Sequence, residues 1–419
     1  MGSRTSVSPR PEAGVAPRDL GYAPGDPAFV ADPYPVFTRL REEAPVAFDP
    51  ATGQWIVTRH ADVSAALRDR RLGRTYLHVA THEEWGHEAP PEWQDPFWDV
   101  ARLQLLDLEP PDHTRLRRLL ARAFTPRAVE AMRPRIVAIV DDLVGAVADL
   151  REFDLLADLV EPFPVAVVAD MLGIPEADRR LLRPWSAEFT LMFEIDATDD
   201  QRRRAAVASG DFAAYLSELV RERRERPRDD LLSQMVHPGE AGDAMSDAEV
   251  VANAILLLNA GHEATVNGAG NAWFALFRHP AALAALRAHP ELAPTAVDEL
   301  LRFDTPAPMF ERWVLEDVEI DGVTIPAGDE IALQFGAANR DPAAFADADA
   351  LVLDRAPNPH VAFGAGIHFC LGAPLARLEL DILYRALVER LPTLELAAEP
   401  EWKPRFVLRG LRALPVRIA

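Results

Sequence analysis

The chain has 419 residues, of which 49% are hydrophobic, and it carries a formal net charge of −22 at pH 7. This charge argues against binding to nucleic acid and to anionic membranes, because both attract basic proteins. The sequence has one cysteine, which excludes a disulfide framework, and it has no apolar run of about 18 residues that would span a membrane. We therefore expect a globular, cytoplasmic protein.

The N-terminal part of the chain predicts a flexible tail followed by one large domain. Residues 1–25 are polar, rich in proline and glycine, and lack the apolar stretch of a signal peptide. We place the domain at residues 26–419, because no repeat or linker divides that range. Its first expected elements are a helix at Tyr34–Glu43, strands at Pro45–Phe48 and Gln54–Thr58, and a helix at His60–Arg70.

Residues 74–106 interrupt this pattern with tryptophan, histidine, proline and acidic residues. A loop of this length is either functional or a surface excursion that is anchored by its aromatic side chains. Amphipathic helices then dominate from Asp112 to Asp229.

One long helix, from Ser246 to about His279, is predicted at the centre of the second half. Ser246 and Glu249 form a capping box at its start, and Pro280 ends it. The helix is apolar on more than one face, so we expect it to be largely buried. Later elements are a helix from Pro294, strands at Val318–Ile320 and Glu330–Gln334, a helix after Gly372 and a β-rich end at Phe406–Ile418. The predicted fold class is mainly α with small β-sheets.

The only cysteine lies in the segment FGAGIHFCLG, residues 363–372. A lone cysteine is most often a small buried apolar residue. Here, however, Gly364 and Gly366 precede Cys370 and Gly372 follows it, directly before a predicted helix. Glycines let the backbone approach a flat ligand, and a helix N-terminus favours a thiolate. This segment could therefore present one thiolate to a metal.

The segment resembles the signature FGxGxHxCxG of the cytochrome P450 superfamily at every fixed position. The resemblance extends over nearly the whole chain, from about Pro27 to the C-terminus. It implies a single domain that holds haem b between the long central helix and the cysteine loop. Cys370 would be the axial iron ligand, and the loop residues expected to contact the cofactor are Phe363, Gly364, Gly366, His368 and Gly372.

Two further motifs agree with this resemblance. Glu299 and Arg302 match the family's ExxR pair, which has a structural role, although an i,i+3 pair alone is usually a weak surface ion pair. His113 and Arg117 lie at i,i+4 and match a pair that holds a haem propionate; alone, they would be a solvated helix face. Arg312 and His368 match other propionate-binding positions, which suits two buried carboxylates.

The segment AGHEAT, residues 260–265, matches the family's oxygen-binding groove on the long helix. Gly261 would let the helix widen there, and Glu263 matches the acid that delivers protons, although it could also be a buried ion pair. Ala264 replaces the usual threonine, and Thr265 is turned by about 100°. Either a hydroxyl group of the substrate or an ordered water molecule is expected to complete the proton path.

The resemblance implies a haem-thiolate monooxygenase that inserts one oxygen atom of O2 into a medium-to-large, mostly apolar substrate, with a role in secondary metabolism. A peroxide-driven or rearrangement enzyme and a non-catalytic haem sensor are the alternatives. One cysteine cannot hold an iron–sulfur cluster, so electrons would come from a ferredoxin and its NAD(P)H-dependent reductase. Arg115, Arg118 and Arg122 form a helical stripe that could face such a partner or solvent. The expected substrate pocket comprises residues 74–106 and 185–193 together with Leu257, Ala260, Ala307, Met309 and Phe310.

Overall fold

A computed structural model describes residues 15–237 and 243–418. Its α-helices are α1 (Pro27–Ala31), α2 (Tyr34–Glu43), α3 (His60–Ala66), α4 (Asp95–Ala101), α5 (Asp112–Leu120), α6 (Pro126–Val147), α7 (Pro162–Leu172), α8 (Arg179–Phe189), α9 (Asp199–Glu225), α10 (Leu231–Val236), α11 (Asp247–Arg278), α12 (Pro280–Ala288), α13 (Ala293–Phe303), α14 (Phe335–Ala338) and α15 (Ala373–Arg390). Its strands are β1 (Val46–Asp49), β2 (Gln54–Val57), β3 (Leu72–Gly73), β4 (Glu152–Asp154), β5 (Phe310–Val314), β6 (Val318–Ile320), β7 (Val323–Ile325), β8 (Glu330–Leu333), β9 (Leu394–Leu396) and β10 (Pro415–Ile418). The mainly α fold with small sheets is confirmed.

The long helix α11 runs through the centre of the molecule. Its capping box is present as predicted: the Ser246 hydroxyl accepts from the Glu249 N–H, and the Glu249 carboxylate accepts from the Ser246 N–H. Helices α7, α9 and α13 pack around it. Because the helix is covered on several sides, apolar residues such as Val250, Ile255 and Trp273 are almost fully buried.

A five-stranded sheet lies beside the helices in the order β1-β2-β8-β5-β3. The β1–β2 hairpin is antiparallel and pairs Asp49 with Gln54, as the predicted turn requires. Strand β5 pairs antiparallel with β8, which places Arg312 opposite Ile331. The sheet therefore holds Arg312 at a fixed position next to the helical part of the molecule.

Three regions of the chain differ most from the predictions. Within the predicted tail, residues 15–25 are packed rather than loose: Tyr22 is 0% exposed and Leu20 is 8% exposed. Residues 1–14 lie outside the described residues. The segment 74–106 is not a continuous loop, because it contains helix α4, which carries Phe97 and Trp98 and packs against α9. Of the expected β-rich end, residues 415–418 form strand β10, which pairs with β4 and β9, and Leu411 forms an isolated bridge with Trp402.

None of the helices within the described ranges is both long enough and apolar enough to cross a membrane.

Candidate functional site

The cysteine loop is held in its shape by glycines with positive φ. Gly364 has φ +67° and Gly366 has φ +70°, the left-handed region that side chains other than glycine rarely adopt. The Cys370 N–H donates to the Phe363 carbonyl at 2.9 Å, which closes the loop before α15 begins. Gly366 also lies next to the C-terminal end of α3. A Cβ atom on residue 366 would come 2.3 Å from the Leu67 carbonyl oxygen.

This contact leads to a test of the loop. Gly366→Ala should lower the free energy of unfolding by at least ~1–2 kcal/mol, because a left-handed alanine is strained and its methyl group would also collide with the Leu67 carbonyl. Chemical denaturation measures the change. Gly210→Ala is the matched control: the added Cβ meets Pro96 at an ordinary 3.7 Å, and alanine is favoured within α9. Equal stability of the two variants would contradict the expectation.

The electrostatic environment of Cys370 differs from the prediction. Burial raises the pKa of the Cys370 thiol, while the backbone N–H groups of Gly372 and Ala373 and the charges of Arg117 and Arg377 lower it. Burial outweighs the favourable groups, so the protein alone does not stabilise the thiolate. A bound metal cation would deprotonate such a thiol.

Two histidines from distant parts of the chain meet beside Cys370. His113 on α5 is 1% exposed, and its ring centroid lies 4.5 Å from that of His368. Burial lowers the pKa of His113 to about 4, so its ring is neutral at pH 7. Neither ring nitrogen of His113 has a hydrogen-bond partner, and His368 Nε2 has only Glu109 Oε1 at 3.5 Å. Arg117, one turn after His113, donates to the Phe369 carbonyl at 2.7 Å.

Two arginines complete the cationic side of this site. Arg312 is 3% exposed, donates to the Glu311 carbonyl, and has its pKa lowered to about 9 mainly by burial. Arg74, which the sequence analysis missed, donates to the same carbonyl at 3.0 Å and to Asp107 at 3.1 Å. No spacing in the sequence links Arg74 to the other residues; the β3–β5 pairing alone brings it there.

These residues fit a planar cofactor with two carboxylate groups. Buried polar groups normally have partners, so the unpartnered nitrogens of His113 and the buried Arg312 call for an anionic or polar ligand. Arginine and histidine are the donors that such carboxylates require. Within the described residues, no cluster of three metal-binding side chains occurs, so an iron held here would depend on the cofactor and on Cys370.

The predicted Glu299–Arg302 pair is part of a buried network. Both side chains are 0% exposed, and Arg302 donates to both carboxylate oxygens at 2.7 and 2.8 Å. Arg302 also donates to the Asn339 carbonyl, and the Asn339 side chain accepts from the Val361 N–H at 2.8 Å. The network therefore joins α13 to the start of the cysteine loop.

One face in the middle of α11 is not fully covered by neighbouring elements, and we call it the open face. Leu257, Gly261 and Ala264 are partly exposed and Ala260 is exposed, whereas Leu258, Asn259, His262 and Glu263 around them are buried. The open positions recur at i, i+3, i+4 and i+7, which is one face of a helix. Leu257, Ala260, Gly261 and Ala264 therefore lie on one face of α11.

The widening of α11 that was expected at Gly261 is not seen, because the helix is continuous from Asp247 to Arg278. Gly261 instead allows close packing, since a Cβ there would come 2.8 Å from Val168 on α7. Glu263 is 6% exposed and faces away from the open face, with its Oε2 3.7 Å from Lys403 Nζ. Thr265 is 7% exposed and so does not replace a hydroxyl at position 264.

The other predicted pocket residues differ in how they are packed. Met309 is 0% exposed and belongs to an apolar cluster around Phe37, so it lines no pocket. Phe310 stacks on Phe335 with ring centroids 6.0 Å apart, and Ala307 is partly exposed. Trp185 packs against Phe212 at 5.2 Å.

The arginine stripe on α5 is largely neutralised. Arg115 pairs with Glu249, and Arg118 pairs with Asp243 at 2.5 Å. The sequence alone could not show this, because both carboxylates are more than 120 residues away.

Comparison with known proteins agrees with this geometry. A family model described as cytochrome P450 matches residues 180–406. The polyketide biosynthesis cytochrome P450 PksS of Bacillus subtilis is 37% identical over 96% of this chain and 99% of its own length. The cytochrome P450 monooxygenase PikC of Streptomyces venezuelae is 39% identical over 95% of this chain and 94% of its own. The crystal structure of P450BioI with an acyl carrier protein ligated to hexadec-9Z-enoic acid has a TM-score of 0.87 and 35% identity, covering 94% of this chain and 100% of that one.

Proposed function

Because this chain belongs to the cytochrome P450 monooxygenase family, whose members bind haem b through an axial cysteine thiolate, we propose that Cys370 supplies that ligand. The observation that carries the proposal is the group of histidine and arginine side chains beside the cysteine loop, in which neither ring nitrogen of the buried His113 has a hydrogen-bond partner. His113, Arg117, Arg312 and His368 would hold the two propionates, and Arg74 would assist them. When bound, the haem supplies the oxygen chemistry, in which R–H, O2, two electrons and two protons give R–OH and water.

The open face of α11 is the wall that would position the substrate. Leu257, Ala260, Gly261 and Ala264 present only small or apolar groups there, which exclude water from the reacting atoms. This supports a medium-to-large, mostly apolar substrate. PksS is named for polyketide biosynthesis, so a secondary metabolite of that kind is the class that we propose.

Glu263 would deliver the protons from the buried side of α11. Ala264 offers no hydroxyl on the open face, so a hydroxyl group of the substrate or a water that it holds would complete the path to the reacting oxygen. The electrons would come from a ferredoxin and its NAD(P)H-dependent reductase, because these 419 residues contain a single cysteine and cannot ligate a cluster. We propose that the protein works in the cytoplasm.

The test is a spectral titration of the purified haem-loaded protein. The compounds are hexadec-9-enoic acid, free and linked to a carrier protein, and polyketides with and without a hydroxyl group near the oxidised carbon. We expect at least one polyketide to shift the Soret band, and the hydroxylated members to give more product per NADPH with a surrogate ferredoxin and reductase. The product should contain one atom of 18O from 18O2.

Three results would contradict the proposal. A protein without a Soret band after haem supply would remove the haem assignment. Products without 18O would remove the monooxygenase assignment. Activity with hydrogen peroxide but none with any reductase would favour the peroxide-driven alternative.

A further inference from the structure

A charged cavity lies on the buried side of α11, opposite the open face. Its volume is about 420 Å³, and α8, α11 and the segment 403–412 contribute to its wall. The acidic residues that line it are Glu161, Glu188, Glu194, Asp196 and Glu263, and the basic ones are Arg183, Arg204, Lys403, Arg405 and Arg412. A cavity of this composition is unlike the apolar face where the substrate would lie.

Three carboxylate oxygens of the residues that line this cavity are buried and have no hydrogen-bond donor from the protein: Glu188 Oε2, Glu194 Oε1 and Glu263 Oε2. His262 Nε2 is also buried without a hydrogen-bond partner, and burial lowers the pKa of His262 to about 4, so its ring is uncharged at pH 7. Polar cavities that hold several such unpartnered groups are filled by water, and at ~30 Å³ per molecule this one has room for about fourteen. The cavity can therefore carry a chain of water molecules up to Glu263.

Lys403 is the basic residue of this cavity that pairs with Glu263. It is the only lysine in the sequence. Its Nζ lies 3.7 Å from Glu263 Oε2 and 3.4 Å from Asn267 Oδ1, and its side chain is 20% exposed. The Lys403 N–H donates to the Gly410 carbonyl at 2.9 Å, which fixes the backbone from which the side chain reaches α11.

We propose that Lys403 is the positioning residue for Glu263 and holds its carboxylate at the wall of the water-filled cavity. The inference rests on the proposed role of Glu263 as the proton donor. Each proton would pass from cavity water to the Glu263 carboxylate and then across α11, which restores the carboxylate; two such transfers complete one turnover. The ammonium group keeps its own proton throughout.

An ordinary structural role is the competing explanation. Lys403 could simply fasten the C-terminal segment to α11, as Arg278 does at the end of the helix by pairing with Glu399 at 3.5 Å. Arg278 is 62% exposed and lies far along α11 from Glu263, so Arg278→Met removes an equivalent connection without touching the cavity. It is the matched control.

The first experiment is possible because Lys403 is the only lysine in the sequence. Reductive methylation with 13C-formaldehyde labels this side chain and the N-terminal amine only, and NMR of the haem-loaded protein then reports on each separately. We expect Glu263→Gln to shift the resonance of the labelled Lys403, and Arg278→Met to leave it unchanged. An unchanged Lys403 resonance in Glu263→Gln would overturn the inference, whatever the activity data show.

The second experiment uses the compound from the spectral titration that gives the most product. It measures the product formed per NADPH and compares the turnover rate in H2O with that in D2O. We expect about a 100-fold loss of product-forming turnover in Glu263→Gln and about a 10-fold loss in Lys403→Met, with a larger solvent isotope effect in both. Lys403→Arg should restore most of the yield because it keeps the charge, and Arg278→Met should match the wild type.

The outcomes separate the two proposals. Normal yield in Glu263→Gln would remove the proposed role of Glu263. A loss in Glu263→Gln together with wild-type yield in Lys403→Met would overturn the inference about Lys403 alone. Equal losses in Lys403→Met and Lys403→Arg would also overturn it, because they would indicate a packing effect rather than a charge.

Discussion

Cys370→Ser should abolish turnover and remove the thiolate signature from the spectrum of the reduced carbon monoxide complex. The physical reason is that the serine oxygen does not donate electron density to the iron as a thiolate does. Changes to the outer partners of a metal ligand already cost 10- to 100-fold in activity, so we expect at least ~100-fold loss here.

Ile367→Ala is the control for this experiment. Ile367 lies in the same loop, is 40% exposed and carries no group that could bind a metal. Its variant should keep the thiolate spectrum. A Cys370→Ser protein with the wild-type spectrum would show that the iron ligand lies elsewhere.

Arg302→Ala should lower the free energy of unfolding by about 3–5 kcal/mol, because it leaves the carboxylate of Glu299 buried with one of its cations removed. Arg355 and the Val352 N–H still contact Glu299, and Arg355 still donates to the Ala350 carbonyl, but the carbonyls of Asn339 and Ala348 lose the donor that Arg302 supplies. We also expect weaker haem retention, since Asn339 is hydrogen-bonded to the start of the cysteine loop.

The control is Arg417→Ala on the surface. Arg417 and Glu395 form a pair of the same chemistry at 2.5 Å, but their side chains are 48% and 46% exposed. Such pairs contribute at most ~1 kcal/mol. Chemical denaturation followed by circular dichroism compares the variants, and a similar midpoint for both would contradict the importance of the buried network.

Much of the fold was predictable because its signals are local. The capping box at Ser246 and the turn between β1 and β2 each depend on a few neighbouring residues, and both are confirmed. The segment 74–106 was harder to predict. Its helix α4, which carries Phe97 and Trp98, packs against α9, and a helix this short depends on tertiary packing more than on local propensity.

Tertiary structure decided that Glu263 and Ala264, which are neighbours in the sequence, face different surroundings. The sequence places Glu263 and Ala264 side by side, but packing against α7 and α9 determines which face of α11 stays open. As a result Ala264 lies on the open face, while Glu263 lies on a separate charged cavity with Lys403. Met309, which the sequence suggested as a pocket residue, is buried in a different apolar cluster, around Phe37.

The sequence by itself determined the family, the single cysteine in its glycine-bounded loop, and the Glu299–Arg302 pair, since each is a contiguous motif. Only the tertiary structure brought Arg74 to Arg312 and Lys403 to Glu263. These pairs are separated by more than 130 residues and share no motif. Their proximity comes from strand pairing and helix packing, which no local pattern encodes.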